Sequence, residues 1–107
     1  MKLTGTNLSM IRGDTETLTV YCSVPFENGD TVSMTVRESV DSGVAFREDV
    51  TAFGNEGEAV IPIAHADTAG MDFGDYVYDV QVTRADGTVT TLIPKSRLTL
   101  EEEVTYD

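Results

Sequence analysis

The sequence holds one cysteine, no tryptophan, one histidine and three prolines in 107 residues, and most of these scarcities exclude something. With Cys22 alone no intrachain disulfide can close, so disulfide-stapled secreted scaffolds are ruled out and the core must hold by packing. His65 is the sole histidine, and without a second histidine or a cysteine cluster the ligand set of a zinc site is missing; it reads as a surface or strand-end residue. No window approaches the roughly 20 apolar residues that cross a bilayer. The opening Met1-Lys2-Leu3-Thr4-Gly5-Thr6-Asn7 lacks the apolar run of about 7 to 15 residues that a secretory signal needs. The expectation is a chain made in the cytoplasm, with no membrane partner.

Positive charge is equally scarce: 7 Lys and Arg stand against 19 Asp and Glu, for a formal net charge of -12. Phosphate binding depends on Lys and Arg displacing condensed counterions, so nucleic acid is excluded as a partner. A partner that binds specifically should bring a basic or apolar patch, or bridge through divalent cations.

What the chain has in quantity is valine and threonine, thirteen and fifteen of them. β-branched side chains suit a pleated surface and lose rotamer freedom in a helix, so the composition reads as all-β. Period-two alternation supports this, since a half-buried strand sends successive side chains to opposite faces. Leu18, Val20, Cys22 and Val24 form one apolar face; Val32, Met34 and Val36 form the next. Val44, Phe46 and Val50 mark a third run, in which Glu48 shares the apolar parity and signals a bulge or an edge position. Ala59, Ile61 and Ile63 line a strand from Glu58 to Ala64, and Pro62, which cannot donate to a ladder, places it at a sheet edge.

Tyr76, Tyr78, Val80 and Val82 alternate most clearly and run into a hairpin at Asp86-Gly87, a pair that supplies the positive φ values of a tight turn. The return strand from Val89 breaks at Pro94-Lys95-Ser96, where a kink or bulge would let it change partners, and resumes through Leu98 and Leu100. With an opening strand over Leu8 to Arg12, seven or eight strands result, and their spacing predicts a two-sheet antiparallel β-sandwich. One domain covers 1–107, with its core over about 8–104. A single helical turn is expected near Asp67-Thr68-Ala69-Gly70, and the Glu101-Glu102-Glu103 run reads as a flexible, solvated end.

Few motifs suggest chemistry. Arg12-Gly13-Asp14 is an integrin-type tripeptide, but Gly13 and Asp14 fit an ordinary turn between strands. Asp67, Asp72, Asp75 and Asp79 could collect calcium, yet they lack the spacing of a calcium-binding loop and read as a solvated acidic face. No nucleophile elbow, zinc-protease, P-loop or dinucleotide motif is present, although nineteen acids could in principle supply a glycosidase-type pair. No catalytic, metal or cofactor residue is assigned. Asp72-Phe73-Gly74-Asp75-Tyr76-Val77-Tyr78 matches the D-x-G-x-Y-x-C pattern of immunoglobulin-type domains, with Tyr78 in the place of the cysteine. It predicts a structural corner in which the Tyr76 hydroxyl bonds upstream backbone. Cys22, on an apolar face, reads as a small hydrophobe.

Two blocks together carry a resemblance: Leu8-Ser9-Met10-Ile11-Arg12-Gly13-Asp14-Thr15 with Leu18 and Val20, and Gly74-Asp75-Tyr76-Val77-Tyr78-Asp79-Val80-Gln81-Val82 before the Asp-Gly hairpin. From about Leu8 to Val104 the chain resembles the N-terminal domain of baseplate upper proteins in tailed phages of Gram-positive bacteria. The resemblance implies an immunoglobulin-like sandwich that anchors a trimeric arm by binding other virion or baseplate proteins, with no catalytic residues and no cofactor. Relatives usually place a glycine where this chain has Pro94-Lys95-Ser96-Arg97, so the docking surface is expected to differ. Because the chain ends soon after the sandwich, the expected role is a stand-alone virion component or a separate anchoring module, present in the host cytoplasm during assembly and then in the virion. The alternative is a carbohydrate-binding or adhesive immunoglobulin-like module of a bacterial surface protein, for which the chain offers no tryptophan and four tyrosines.

Overall fold

A computed structural model describes residues 1–54 and 57–104 of the chain. These form β1 (Lys2–Thr4), β2 (Asn7–Ile11), β3 (Glu16–Tyr21), β4 (Thr31–Arg37), β5 (Val44–Val50), β6 (Glu58–Ile63), a short helix α1 (His65–Ala69), β7 (Gly74–Thr83) and β8 (Val89–Glu101). Six strands make one sheet in the order β1-β2-β8-β7-β4-β5, and β3 and β6 make a second. Both sheets contribute their buried faces to one apolar cluster.

The alternation seen in the sequence is the alternation of burial. Val32, Met34 and Val36 on β4, Ala59, Ile61 and Ile63 on β6, and Val80 and Val82 on β7 are fully buried. Each large aliphatic of this set contributes about 1.5–3 kcal/mol by leaving water. Where pattern and structure part, local causes are visible. β3 stops at Tyr21, so Cys22 is only half-buried and Val24 is 60% exposed instead of extending the apolar face. β5 is an edge strand of the large sheet, and Glu48 keeps its inward parity there, half-buried opposite Met34; the one irregularity of its ladder with β4 lies between Val36 and Arg37, opposite Phe46 and Val44. Pro62 pairs with Thr17 in a sheet of two strands, each of which has an open side.

The sandwich is not wholly antiparallel. β2 pairs with β8 in parallel, Leu8 with Leu98 through Ile11 with Glu101, while every other ladder among the described residues is antiparallel. β8 reaches both neighbours because its register against β7 shifts on either side of Val80, absorbing extra residues around Pro94 and Leu92. This is the bulge that Pro94 announces. The strand continues through it, and its second half pairs with β7 on one side and β2 on the other.

Two ends differ from the sequence reading. Residues 2–4 form β1, which pairs back on β2 through a two-residue turn at Gly5-Thr6, and the Met1 ammonium reaches Glu16 at 2.9 Å. The ordered fold therefore begins ahead of Leu8. At the other end Glu101 belongs to β8 and Glu103 is held by Arg12, with Nε and Nη2 donating to its carboxylate at 3.2 and 2.6 Å. The acidic run is thus anchored through Glu103; residues 105–107 lie outside the described residues.

At the Asp86-Gly87 hairpin only Gly87 takes a positive φ, of 90°. The Gly87 N–H donates to the Arg84 carbonyl and the Arg84 N–H to Thr88, which closes a three-residue loop in place of a two-residue one. Such a loop needs a left-handed residue only at its last position. Asp86 instead uses its carboxylate to accept the Thr88 N–H at 2.9 Å.

Tyr78 occupies the middle of β7 with 2% exposure, and its hydroxyl donates to the Thr6 carbonyl in the β1–β2 turn. Burial pushes its phenol up to about 12. Thr6 Oγ1 also meets Ser96 Oγ at 2.7 Å, and Asn7 Oδ1 accepts the Arg97 N–H at 2.9 Å, so one small network pins the first hairpin to the bulged part of β8. Tyr78→Phe, which removes only the hydroxyl, should lower the unfolding free energy by about 0.5–1.5 kcal/mol. Tyr78→Ala, which leaves a cavity, should cost about 3–5 kcal/mol. Urea unfolding of the two variants checks both values.

Candidate interaction surface

The side chains picked out from the sequence serve the two ends of the sandwich. At one end Ile11 to Asp14 make a turn, with Gly13 at φ 85° and the Asp14 N–H donating to the Ile11 carbonyl at 3.1 Å. The Gly13 N–H donates to Thr68 Oγ1 at 2.8 Å, and His65 Nδ1 lies 2.5 Å from the Gly13 carbonyl, so α1 is clamped onto this turn. Arg12 donates to Glu103 and to the Met71 carbonyl, and its guanidinium lies 5.1 Å from the centre of the Phe73 ring. The arginine of the Arg-Gly-Asp tripeptide is thereby used within the fold. Tyr76 Oη donates to the Asp72 carbonyl four residues upstream at 2.7 Å, and Gly74, at φ 134°, opens β7 between them.

At the opposite end Asp30, 3% exposed, accepts the Glu27 N–H, the Ala85 N–H and Arg84 Nη1 at 2.8–3.1 Å. These donors hold its carboxyl below the usual range, the Glu27 N–H most strongly. Arg84 also reaches the Pro25 and Val24 carbonyls and packs over Phe26, which stacks on Phe53 at 4.7 Å.

The four aspartates read as one acidic group are spread over separate places. Asp67 Oδ2 accepts the Ala64 N–H at the start of α1, Asp75 accepts the Thr99 hydroxyl, Asp72 lends its backbone carbonyl to Tyr76, and Asp79 stands mid-strand on β7 opposite Thr35. Among the described residues no three acids, histidines or cysteines gather in a way that could hold a metal ion. Among the same residues no helix is long and apolar enough to cross a membrane.

The outer face of the large sheet brings together residues that the sequence reading passed over. Arg37 on β4 pairs with Val77 on β7, and Val77 pairs with Arg97 on β8, so one row across three strands reads Arg-Val-Arg. A depression of about 220 Å³ lies over this row, lined by Thr35, Arg37, Val40, Val77, Asp79 and Lys95. A second, of about 360 Å³, shares Val77 and Lys95 with it and extends toward Asn7, Glu38, Asp75 and Arg97. Val40 and Val44 at the β4–β5 end of the sheet are 59% and 48% exposed. Three of the other basic residues, Arg12, Arg47 and Arg84, are ion-paired within the chain. Arg37, whose Nη1 donates to the Ser42 carbonyl at 2.6 Å, and Lys95 and Arg97 give this face a concentration of cations that the rest of an acidic chain lacks. The only sequence signal for it was the parity of β7: if Tyr76 and Tyr78 point inward, then Asp75, Val77 and Asp79 point outward.

No family model matches the chain, and no curated protein matches it.

One acid outside this face has an unusual setting. Glu48 shares the inward parity of Phe46 and Val50 on β5, opposite buried Met34. The hydrogen bond to Asp67, then partial desolvation and the charges of Asp67 and Asp49, raise its carboxyl from 4.5 to about 7. Between these values the folded state holds a proton that the unfolded chain releases, so stability should fall as pH rises from about 4.5 to 7. Glu48→Gln should flatten that part of the profile and stabilise the protein near neutral pH, as read from urea midpoints across the interval.

Proposed function

We propose that this chain is a non-enzymatic structural module of a phage or prophage particle, acting at the baseplate, tail tip or a fibre attachment by binding other particle proteins. The observation that carries the binding role is the outer face of the large sheet. There a row of Arg37, Val77 and Arg97 lies beneath two joined depressions, with exposed Val40 and Val44 beside it. Interfaces favour such a combination, in which arginine supplies several donors and aliphatic side chains supply the area removed from water.

We read the fold as immunoglobulin-like. The order β5-β4-β7-β8, facing β3-β6, corresponds to the C′-C-F-G sheet of such domains over their B and E strands, and the tyrosine at the start of β7 is bonded as in a tyrosine corner. The particle role rests on the resemblance to phage baseplate upper proteins. Its two blocks meet in space, because Leu8 and Met10 on β2 and Gly74 and Tyr76 on β7 flank the same stretch of β8.

Peptide mass spectrometry on phage-like particles purified from the induced source strain tests this reading. The protein should be present at a copy number that fits a ring or a set of fibres, and the Arg37→Glu/Arg97→Glu variant should be depleted from the particles. Absence of the unmodified protein from intact particles overturns the reading.

A further inference from the structure

We infer that the outer face of the six-stranded sheet pairs with the same face of a second copy of this chain, the two sheets crossing near a right angle about Val77. The inference rests on the docking face proposed above and names its occupant. Ladder register puts Val77 between Arg37 and Arg97, each one strand spacing away, about 4.8 Å. Along β7 the same face recurs every second residue, so Asp75 and Asp79 stand about 6.7 Å before and after Val77. In the ladder register these residues form a cross, with arginines on the arm that runs across the strands, aspartates on the arm along β7 and a valine at the centre; Arg37 Nη1 also donates to the Ser42 carbonyl, and Asp75 accepts the Thr99 hydroxyl.

This pattern selects one way of stacking two copies. With their strands aligned, parallel or antiparallel, arginine lies over arginine and aspartate over aspartate. Turned by about 90°, each arginine of one copy lies over an aspartate of the other. A single two-fold axis passing between the two Val77 side chains then generates all four pairs, as an isologous interface requires. Orthogonal crossing is one of the two geometries in which twisted sheets pack face to face.

The charge distribution points the same way. Around the two depressions Arg37, Lys95 and Arg97 balance Glu38, Asp75 and Asp79, whereas the other four cations of the chain face sixteen carboxylates. Two bodies of charge -12 repel wherever they meet, and this face is where that repulsion is locally offset. The apolar centre adds to it: Val77 is half-buried, and Val44 extends the Arg37–Val77 row toward the sheet edge.

Sedimentation equilibrium of the whole chain decides the matter at physiological ionic strength, where a screening length of about 8 Å mutes the repulsion between the two bodies. The expected result is a reversible monomer–dimer equilibrium at concentrations up to about 1 mM. Arg37→Glu/Arg97→Glu and Asp75→Arg/Asp79→Arg should each weaken it about tenfold or more. The fourfold variant that carries both exchanges reverses every charge of the cross and should restore the dimer. A strict monomer over this range, a trimer, double variants that associate like the original, or a charge swap that fails to rescue would each overturn the pairing. A monomer found in purified particles would sink the pairing and leave the particle role standing; a dimer absent from particles would do the reverse.

Discussion

The architecture depends on β8 serving two neighbours. Its first half is a hairpin partner of β7 alone; past the bulge around Pro94 its second half bonds β7 on one side and β2, in parallel, on the other. A proline has no N–H to give a ladder, so the strand must break register where the change of partners occurs. The placement of the N-terminal segment is a consequence. Once β2 lies along β8, the β1–β2 turn falls next to Tyr78, Ser96 and Arg97, and all three fasten it. Beyond β2, Arg12 is brought to the last residues of β8, where Glu103 and the Glu101 carbonyl meet it.

The closed ends explain why the most conspicuous polar residues do not form a site. Buried or half-buried charges need partners, and the fold supplies them locally: Glu103 for Arg12, Asp30 for Arg84. Loops that carry several internal hydrogen bonds and cation–aromatic contacts, as at Arg12 over Phe73 and Arg84 over Phe26, have few groups left over for a partner. The flat side of the large sheet also carries internal hydrogen bonds, from Arg37 to the Ser42 carbonyl and from Thr99 to Asp75, but it is organised differently. Its side chains are spaced by the ladder, and at Arg37, Val77 and Arg97 the spacing yields a regular arrangement of charge about an aliphatic centre. Glu48 adds a separate feature. An inward carboxylate on this edge strand discourages further strand pairing there.

Much of the fold could be read from the chain because alternation and turn chemistry are local. The inward faces of β4, β6 and β7 follow from Val32, Met34 and Val36, from Ala59, Ile61 and Ile63, and from Tyr76 to Val82, whose period of two matches the pleat wherever a strand is long and buried on one side. The corner at Tyr76 was legible for a related reason, since its hydroxyl reaches a carbonyl only four residues away. Local reading failed where distant contacts decide. Cys22 and Val24 keep the parity of β3, but the ladder with β6 ends at Tyr21. Glu103 looks like part of a solvated tail until Arg12, ninety-one residues earlier, is placed beside it. Asp86-Gly87 suits a tight turn with positive φ at both residues, yet the hydrogen bond from the Arg84 N–H to Thr88 leaves three residues to connect, and only Gly87 turns left-handed.

By itself, then, the sequence determined the class of structure: β-branched residues in alternation specify an all-β sandwich, and a lone cysteine leaves it held by its core without an intrachain disulfide. Tertiary structure alone decided the strand neighbours, the parallel addition of β2, and the meeting of Arg37, Val77 and Arg97 in one row. The physical reason is that alternation records which face a side chain takes, whereas register across a sheet is set by hydrogen bonds between segments far apart in the chain. Forty residues separate Arg37 from Val77 and twenty separate Val77 from Arg97, and no period within any one strand carries that information.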